Sequence, residues 1–317
     1  MHYIGIDLGG TNIAVGVVNE DLEIVVKGKM PTMRERSADE IVKDMGALCR
    51  ELVAKAGLTF DDIAGVGIAA PGIIDPERGE VKYLKNIEMF HYPIVERLKA
   101  EIPVSRVFLE NDANAAALAE AKVGAGRGFD DVVMITLGTG VGGGIVIGGK
   151  LYSGFNYAAA EIGHMGIEAN GRPCKCGRRG CFEAYSSATG LITMTKEHMT
   201  AKTDTVMWDI CGGDLEKVDG RTAFDAAKRG DAVGQAVVDE YIRYLAYGIV
   251  NVINIFQPQV LCIGGGVCGE GDYLLKPLRA LIDREEYGAE ENPERTQVKI
   301  AVLGNDAGII GAAAIGV

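Results

Sequence analysis

The sequence predicts an α/β protein of two related domains, and three observations predict it. One short supersecondary unit occurs twice. β-branched runs alternate with helical stretches along the chain. And 317 residues are enough for two separate cores. The repeat is YIGIDLGGTNIAVGVVNE from Tyr3 and VVMITLGTGVGGGIVIGGK from Val132. An offset of 129 residues aligns Ile6 with Ile135, Leu8 with Leu137, Gly9 with Gly138 and Val17 with Val146. Each copy runs β-branched, glycine-rich, then β-branched again, which predicts a hairpin rather than a strand entering a helix. Chance likeness between two Gly-rich hairpins is the competing explanation.

Between the copies the pattern predicts a helix at about 38–56, a strand at 63–72 ending in a turn, and a short helix at 94–100. A strand at 106–109 and an Ala-rich helix at 113–124 follow. Beyond the second copy, 198–220 reads as irregular. Helices at 222–228 and 232–255, a strand at 260–263, the turn Gly264-Gly265-Gly266, another helix and a strand at 298–303 complete the alternation. The tail DAGIIGAAAIG predicts a small-residue helix that packs closely. The boundary is expected near residue 118. A smaller domain would hold 1–117 and the returning tail 304–317, and a larger one 118–303.

Composition excludes several classes. Hydrophobic residues make up 48% and charged residues 24%, as in an ordinary soluble protein. A net charge of −12 argues against a nucleic-acid partner or an anionic membrane surface. An anionic ligand must then be held by local backbone amides and metal ions. Of seven cysteines, Cys49, Cys211, Cys262 and Cys268 show no pairing pattern, which fits a reducing compartment. The opening MHYIGIDLGG lacks the basic-then-apolar pattern of a signal peptide, and no run approaches the roughly 18 apolar residues of a membrane span. A cytoplasmic location is expected.

The sharpest local pattern lies in AEIGHMGIEANGRPCKCGRRGCFEAY. His164, Cys174, Cys176 and Cys181 fall within eighteen residues, among turn formers Asn170, Gly171, Pro173, Gly177 and Gly180. One imidazole and three thiols match a closed tetrahedral Zn²⁺ site. A Cys-x-Cys pair suits a disulfide poorly, and three thiols leave one over, so zinc is the better reading. Glu161 and Glu183 flank the cluster, and the second ring nitrogen of His164 is free to hold a ligand with them.

Asp7-Leu8-Gly9-Gly10-Thr11-Asn12 puts a carboxylate at a strand end, then glycines whose N–H groups can approach phosphate oxygens, then polar side chains. Asp7 could hold Mg²⁺ through water. A tight hairpin that needs glycines explains the motif equally well. Gly138-Thr139-Gly140-Val141-Gly142-Gly143 satisfies the dinucleotide fingerprint formally, yet a strand rather than a helix follows, so a second phosphate hairpin is the better reading. In Glu110-Asn111-Asp112-Ala113, Asp112 is placed to cap the Ala-rich helix or to act as a general base, and the roles are compatible. Gly72, in AAPG, ends a strand where backbone could meet a ligand. Asn86 lies in a loop, where turn-forming is the ordinary role. Gly265 and Gly266 could admit a nucleotide or simply turn the chain.

Taken in order, DLGGTN, AAPG, ENDANAAALAE, GTGVGGG, EIGHM, CKCGRRGCFE, GRTAFDAAKRGD, IGGGV and DAGIIGAA resemble the ROK family (repressor, open reading frame, kinase), most like its bacterial glucokinases. The resemblance spans essentially the whole chain. It implies two actin-like ATPase (ribonuclease H-like) domains with an interdomain cleft and a zinc-stapled loop. It implies ATP-dependent phosphorylation of a hexose at the 6-hydroxyl, glucose first, with N-acetylmannosamine or another hexose as the alternative. Asp112 would be the catalytic base. Gly72, Asn86, Asn111, Glu161, His164 and Glu183 would line the sugar. Asp7, Gly9, Gly10, Thr11, Asn12, Gly138 and Thr139 would surround the phosphates of Mg-ATP, and Gly265 and Gly266 the adenosine. Zinc would be structural, and a homodimer or higher homo-oligomer is expected. The stretch Lys85-Asn86-Ile87-Glu88-Met89-Phe90 lacks the proline and tryptophan that glucokinases of the family often carry there. The family's DNA-binding repressors carry a helix-turn-helix ahead of the first hairpin, for which a strand starting at Tyr3 is expected to leave no room.

Overall fold

In the computed structural model, which describes Met1–Val317, the first repeat closes as the expected hairpin. Strand β1 (His2–Leu8) runs antiparallel to β2 (Asn12–Asn19), with Ile6 opposite Val15 and Leu8 opposite Ile13. The register puts Ile4, Ile6, Leu8, Ile13 and Val15 into one apolar core. β3 (Ile24–Pro31) extends the sheet. Helix α1 (Ala38–Lys55) starts at a capping box in which Ser37 and Glu40 satisfy each other's backbone N–H. Its Ile41, Met45, Leu48 and Leu52 recur at helical spacing and complete that core. β4 (Ile63–Ala70) joins β1 in parallel. β5 (Ile73–Asp75), β6 (Glu80–Leu84) and β7 (Met89–Tyr92) form a separate small antiparallel sheet. After α2 (Ile94–Glu101), β8 (Val107–Asn111) pairs with β4 in parallel and leads straight into α3 (Asp112–Val123).

The second repeat supplies β9 (Val132–Leu137) and β10 (Val141–Ile147), followed by β11 (Lys150–Leu151). A helical run follows: α4 (Glu183–Ser186), α5 (Ala188–Ala201), α6 (Met207–Ile210), α7 (Thr222–Lys228) and α8 (Ala232–Phe256). Then come β12 (Val260–Gly264), α9 (Asp272–Glu285), β13 (Gln297–Ile300) and α10 (Ala307–Ala314). The two large sheets have the orders β3-β2-β1-β4-β8 and β11-β10-β9-β12-β13. The repeat therefore extends beyond the hairpins: each sheet is a hairpin with a third strand on one edge, and two parallel strands on the other.

The chain groups into two compact units. One holds Met1–Met134, Gly144–Ala160 and Val302–Val317; the other holds Ile135–Gly143 and Glu161–Ala301. In the first, α1 and α2 cover one face of the sheet and α10 the other. A Cβ at Gly5 would lie 1.9 Å from the Ile309 carbonyl oxygen, and one at Gly67 would lie 1.7 Å from that of Ala312. Strand and helix backbones touch there, which is the close packing the small-residue tail predicts. In the second unit the buried Tyr241 of α8 donates to the Ser186 carbonyl at 2.8 Å, and Phe182 fills the space above Gly248. No helix is long and apolar enough to cross a membrane.

Residues 198–220 are less irregular than expected, because α5 runs on to Ala201 and α6 and a 3₁₀ turn at Leu215–Lys217 follow. α5 carries four threonines, three of whose hydroxyls bond carbonyls four residues back, so its helicity is masked in propensity. β3 and the β5–β7 sheet carry little apolar alternation and were not expected either.

Candidate active site

In the first unit, two carboxyls stand at the ends of neighbouring elements. Asp7 lies near the end of β1, and burial, followed by the charge of Asp112, pushes its pKa up to about 6. Asp112 opens α3, and burial raises its carboxyl too, against the lowering effect of the Ala113 N–H. Asn111, not Asp112, is the cap of α3: its side-chain oxygen accepts from the N–H groups of Ala113 at 2.9 Å and Asn114 at 3.3 Å. The sequence had Asp112 placed as a cap, but the helix starts one residue earlier than the pattern indicated. Asp112 keeps only a bond from its neighbour Ala113, at 2.9 Å. Glu110, buried just ahead of the helix, accepts from the Asn111 N–H at 2.8 Å and the Asn114 side-chain amide at 3.0 Å, so the helix start is held from beneath.

Gly72 has φ +85, and a Cβ there would meet the Tyr83 carbonyl oxygen at 2.3 Å, so only glycine fits. Its own carbonyl accepts from the Asn111 side-chain amide at 3.3 Å, which brings the AAPG turn against the start of α3. Asn86 sits exposed in the 3₁₀ turn Lys85–Ile87, and its side chain makes no bond to protein. Gly9 and Asn12 close the first turn through an N–H to carbonyl bond of 3.0 Å. Space is open at Gly10, and Thr11 and Asn12 are exposed. Thr32, which is fully buried and lies in no motif, donates its hydroxyl to Gly9 at 2.6 Å and its N–H to the Thr11 carbonyl at 2.9 Å.

In the second unit, the turn after β9 is one residue tighter, with the Gly138 N–H bonding the Gly140 carbonyl at 3.0 Å. The Ala188 N–H holds the Gly138 carbonyl at 2.9 Å, and the Thr189 hydroxyl holds that of Thr139 at 2.8 Å. Glu183 accepts from the Val141 N–H at 3.0 Å. Gly265, with φ +100, lies so near β9 that a Cβ would meet the Leu137 carbonyl oxygen at 2.2 Å. Space around Gly266 is open. Thr32 and Thr189 went unnoticed in the sequence because they stand 23 and 50 residues from the carbonyls they hold, with no local signature.

His164, Cys174, Cys176 and Cys181 come together, their ligand atoms all within 4.8 Å of one another. The His164 Nδ1 to Cys174 Sγ distance and the Cys176 to Cys181 Sγ distance are both 3.7 Å. A tetrahedron with metal–sulfur bonds of about 2.3 Å has edges of about 3.7 Å, so donor set and spacing fit Zn²⁺. Burial, then the neighbouring thiols, pushes the Cys181 thiol up to about 12, whereas the Arg178 N–H lowers that of Cys176. Three sulfurs so close need a cation to be stable as thiolates. Gly180, with φ +73 and a Cβ position 1.6 Å from the Glu168 carbonyl oxygen, lets the loop close. Glu161 is exposed just before the 3₁₀ turn Ile162–His164. The Cys174 thiol donates to Glu183 at 3.7 Å, so that carboxylate links the cluster to β10.

Residues 3–316 match the ROK family. The chain belongs to the ROK family. It is 38% identical over 313 residues to the glucokinase of Thermotoga maritima, covering 98% of this chain and 96% of that one. A ROK family glucokinase from Streptomyces griseus, solved with glucose and AMPPNP, superposes with a TM-score of 0.81 at 36% identity, covering 99% of both chains. A ROK hexokinase from Thermus thermophilus gives 0.80 at 31% identity, over 99% of this chain and 97% of that one. This member of the family is thus an α/β protein with mixed sheets that carries a His-Cys₃ cluster.

Proposed function

We propose that this ROK protein is an ATP-dependent hexose kinase that phosphorylates glucose at its 6-hydroxyl. Asp112 carries the reading. It opens a helix capped by its neighbour, keeps its carboxyl nearly free of protein partners, and has a raised proton affinity. A base with that affinity accepts a hydroxyl proton as the sugar oxygen attacks the γ-phosphorus and ADP leaves. Asp7 would hold hydrated Mg²⁺, which neutralises phosphate charge when bound. Its elevated pKa beside Asp112 supports a cation there. The open turns at Gly9–Asn12 and Gly138–Thr139 suit the phosphates, and Gly265–Gly266 the adenosine.

Gly72, Asn86, Asn111, Glu161, His164 and Glu183 are assigned to the sugar hydroxyls. His164 offers Nε2 because Nδ1 faces the thiols. Zinc in the cluster would be structural, fixing the tautomer and the pose of that ring. The expected partition into lobes of 1–117 with 304–317 and 118–303 belongs to the same reading, as do a homodimeric or higher assembly and a cytoplasmic setting. Seven free cysteines support a reducing compartment.

A second hexose such as N-acetylmannosamine is favoured by one observation, the absence of proline and tryptophan from Lys85–Phe90 beside Asn86. A coupled assay of ATP consumption over glucose, mannose, N-acetylmannosamine and galactose separates the two. Glucose as the substrate of highest kcat/KM is expected; no turnover with any hexose would overturn the kinase reading.

A further inference from the structure

We propose that Thr32 and Thr189 are positioning residues that hold the two glycine turns in their phosphate-binding form, an inference that rests on the kinase reading above. The turns lie in different units and far apart in sequence, yet each has two of its carbonyls held from outside the turn, one of them by a threonine hydroxyl. Thr32 fixes two carbonyls of the first turn, Gly9 by hydroxyl at 2.6 Å and Thr11 by N–H at 2.9 Å. The start of α5 fixes two carbonyls of the second, Gly138 by the Ala188 N–H at 2.9 Å and Thr139 by the Thr189 hydroxyl at 2.8 Å. Within each turn, a further N–H to carbonyl bond of 3.0 Å, Gly9 to Asn12 and Gly138 to Gly140, closes the loop.

A peptide plane carries its carbonyl and the following N–H on opposite sides, so fixing a carbonyl also aims the next N–H. Pinning Gly9 and Thr11 directs the N–H groups of Gly10 and Asn12; pinning Gly138 and Thr139 directs those of Thr139 and Gly140. The N–H groups of Gly10, Thr139 and Gly140 make no bond to protein. Glycine-rich turns are otherwise conformationally loose, and nucleotide binding would have to order them at a cost in affinity. Each threonine removes part of that cost. Each hydroxyl donates to a backbone carbonyl, so each threonine acts through the backbone it holds.

Thr32→Val and Thr189→Val keep shape and delete the hydroxyl. Each is expected to raise the dissociation constant of a non-hydrolysable ATP analogue, measured without sugar, by roughly three- to tenfold, the worth of one neutral hydrogen bond. The KM for ATP should rise in step while the KM for hexose stays put, and the serine variants, which retain the hydroxyl, should recover most of the affinity. Thermal unfolding of each variant separates folding damage from this effect. Thr189 is exposed, so its variant tests the idea even where loss of the buried Thr32 hydroxyl prevents folding. Unchanged nucleotide affinity in a folded Thr189→Val protein overturns the proposal, as does an equal loss of hexose affinity or no recovery with serine. An unaltered protein that binds no nucleotide would instead remove the kinase reading itself.

Discussion

At the residue scale, function turns on which of two adjacent side chains serves the helix. Asn111 takes the cap, so the Asp112 carboxyl can be replaced without unravelling α3. Asp112→Asn is expected to lower kcat by about 10²–10⁴ while hexose affinity measured by calorimetry stays within about twofold. Loss of sugar binding instead, or near-normal turnover, would discard the base assignment. Asp7 gives a pH signature. Its pKa rises from 3.8 to about 6 in the folded protein, so ionising it costs stability. That cost is absent below about pH 4, grows through the window to about 6, and is complete above it. In magnesium-free, nucleotide-free protein, Asp7→Asn should therefore unfold at the same temperature as the unaltered chain near pH 4. Above pH 6 it should be more stable by up to about 3 kcal/mol, from about 1.4 kcal/mol per pKa unit. A stability gain independent of pH would contradict the assignment of the shift to Asp7.

At the element scale, glycines govern how closely the elements approach. A Cβ at Gly311 of α10 would stand 1.8 Å from the Ala115 carbonyl oxygen of α3, and backbone there has nowhere to move. Gly311→Ala should destabilise the protein by about 1–3 kcal/mol, read by urea unfolding, whereas Gly269→Ala, whose Cβ meets nothing, should not. The metal loop is an element of its own kind, ordered by four ligands rather than by a core. Protein purified without added zinc should contain about one equivalent per chain by elemental analysis. Cys176→Ser should lower that content and the melting temperature together; full occupancy in this variant would remove Cys176 from the ligand set.

At the scale of the whole molecule, two five-stranded sheets of matching order each have one Gly-turn hairpin at their heart. The charge of −12 predicts no retention of duplex DNA at about 50 mM salt, where phosphate contacts are strongest; salt-sensitive DNA binding would favour a regulator over an enzyme. What could be read in advance follows the range of the interactions. The hairpins, the long α8 and the metal ligands are set by residues within some two dozen positions of one another, and their signals lie side by side in the sequence. The chain alone thus determined the repeat, the alternation of strands and helices, the small-residue tail and a cluster that fits zinc. Tertiary structure alone decided that Asn111 rather than Asp112 caps α3, that Asp7 feels the charge of Asp112, and that Thr32 and Thr189 reach back to the glycine turns. The cap is local, made two and three residues along, and was decided by which of two adjacent capping residues starts the helix. The other facts depend on burial and on contacts between residues distant in sequence, which no local pattern of side chains encodes.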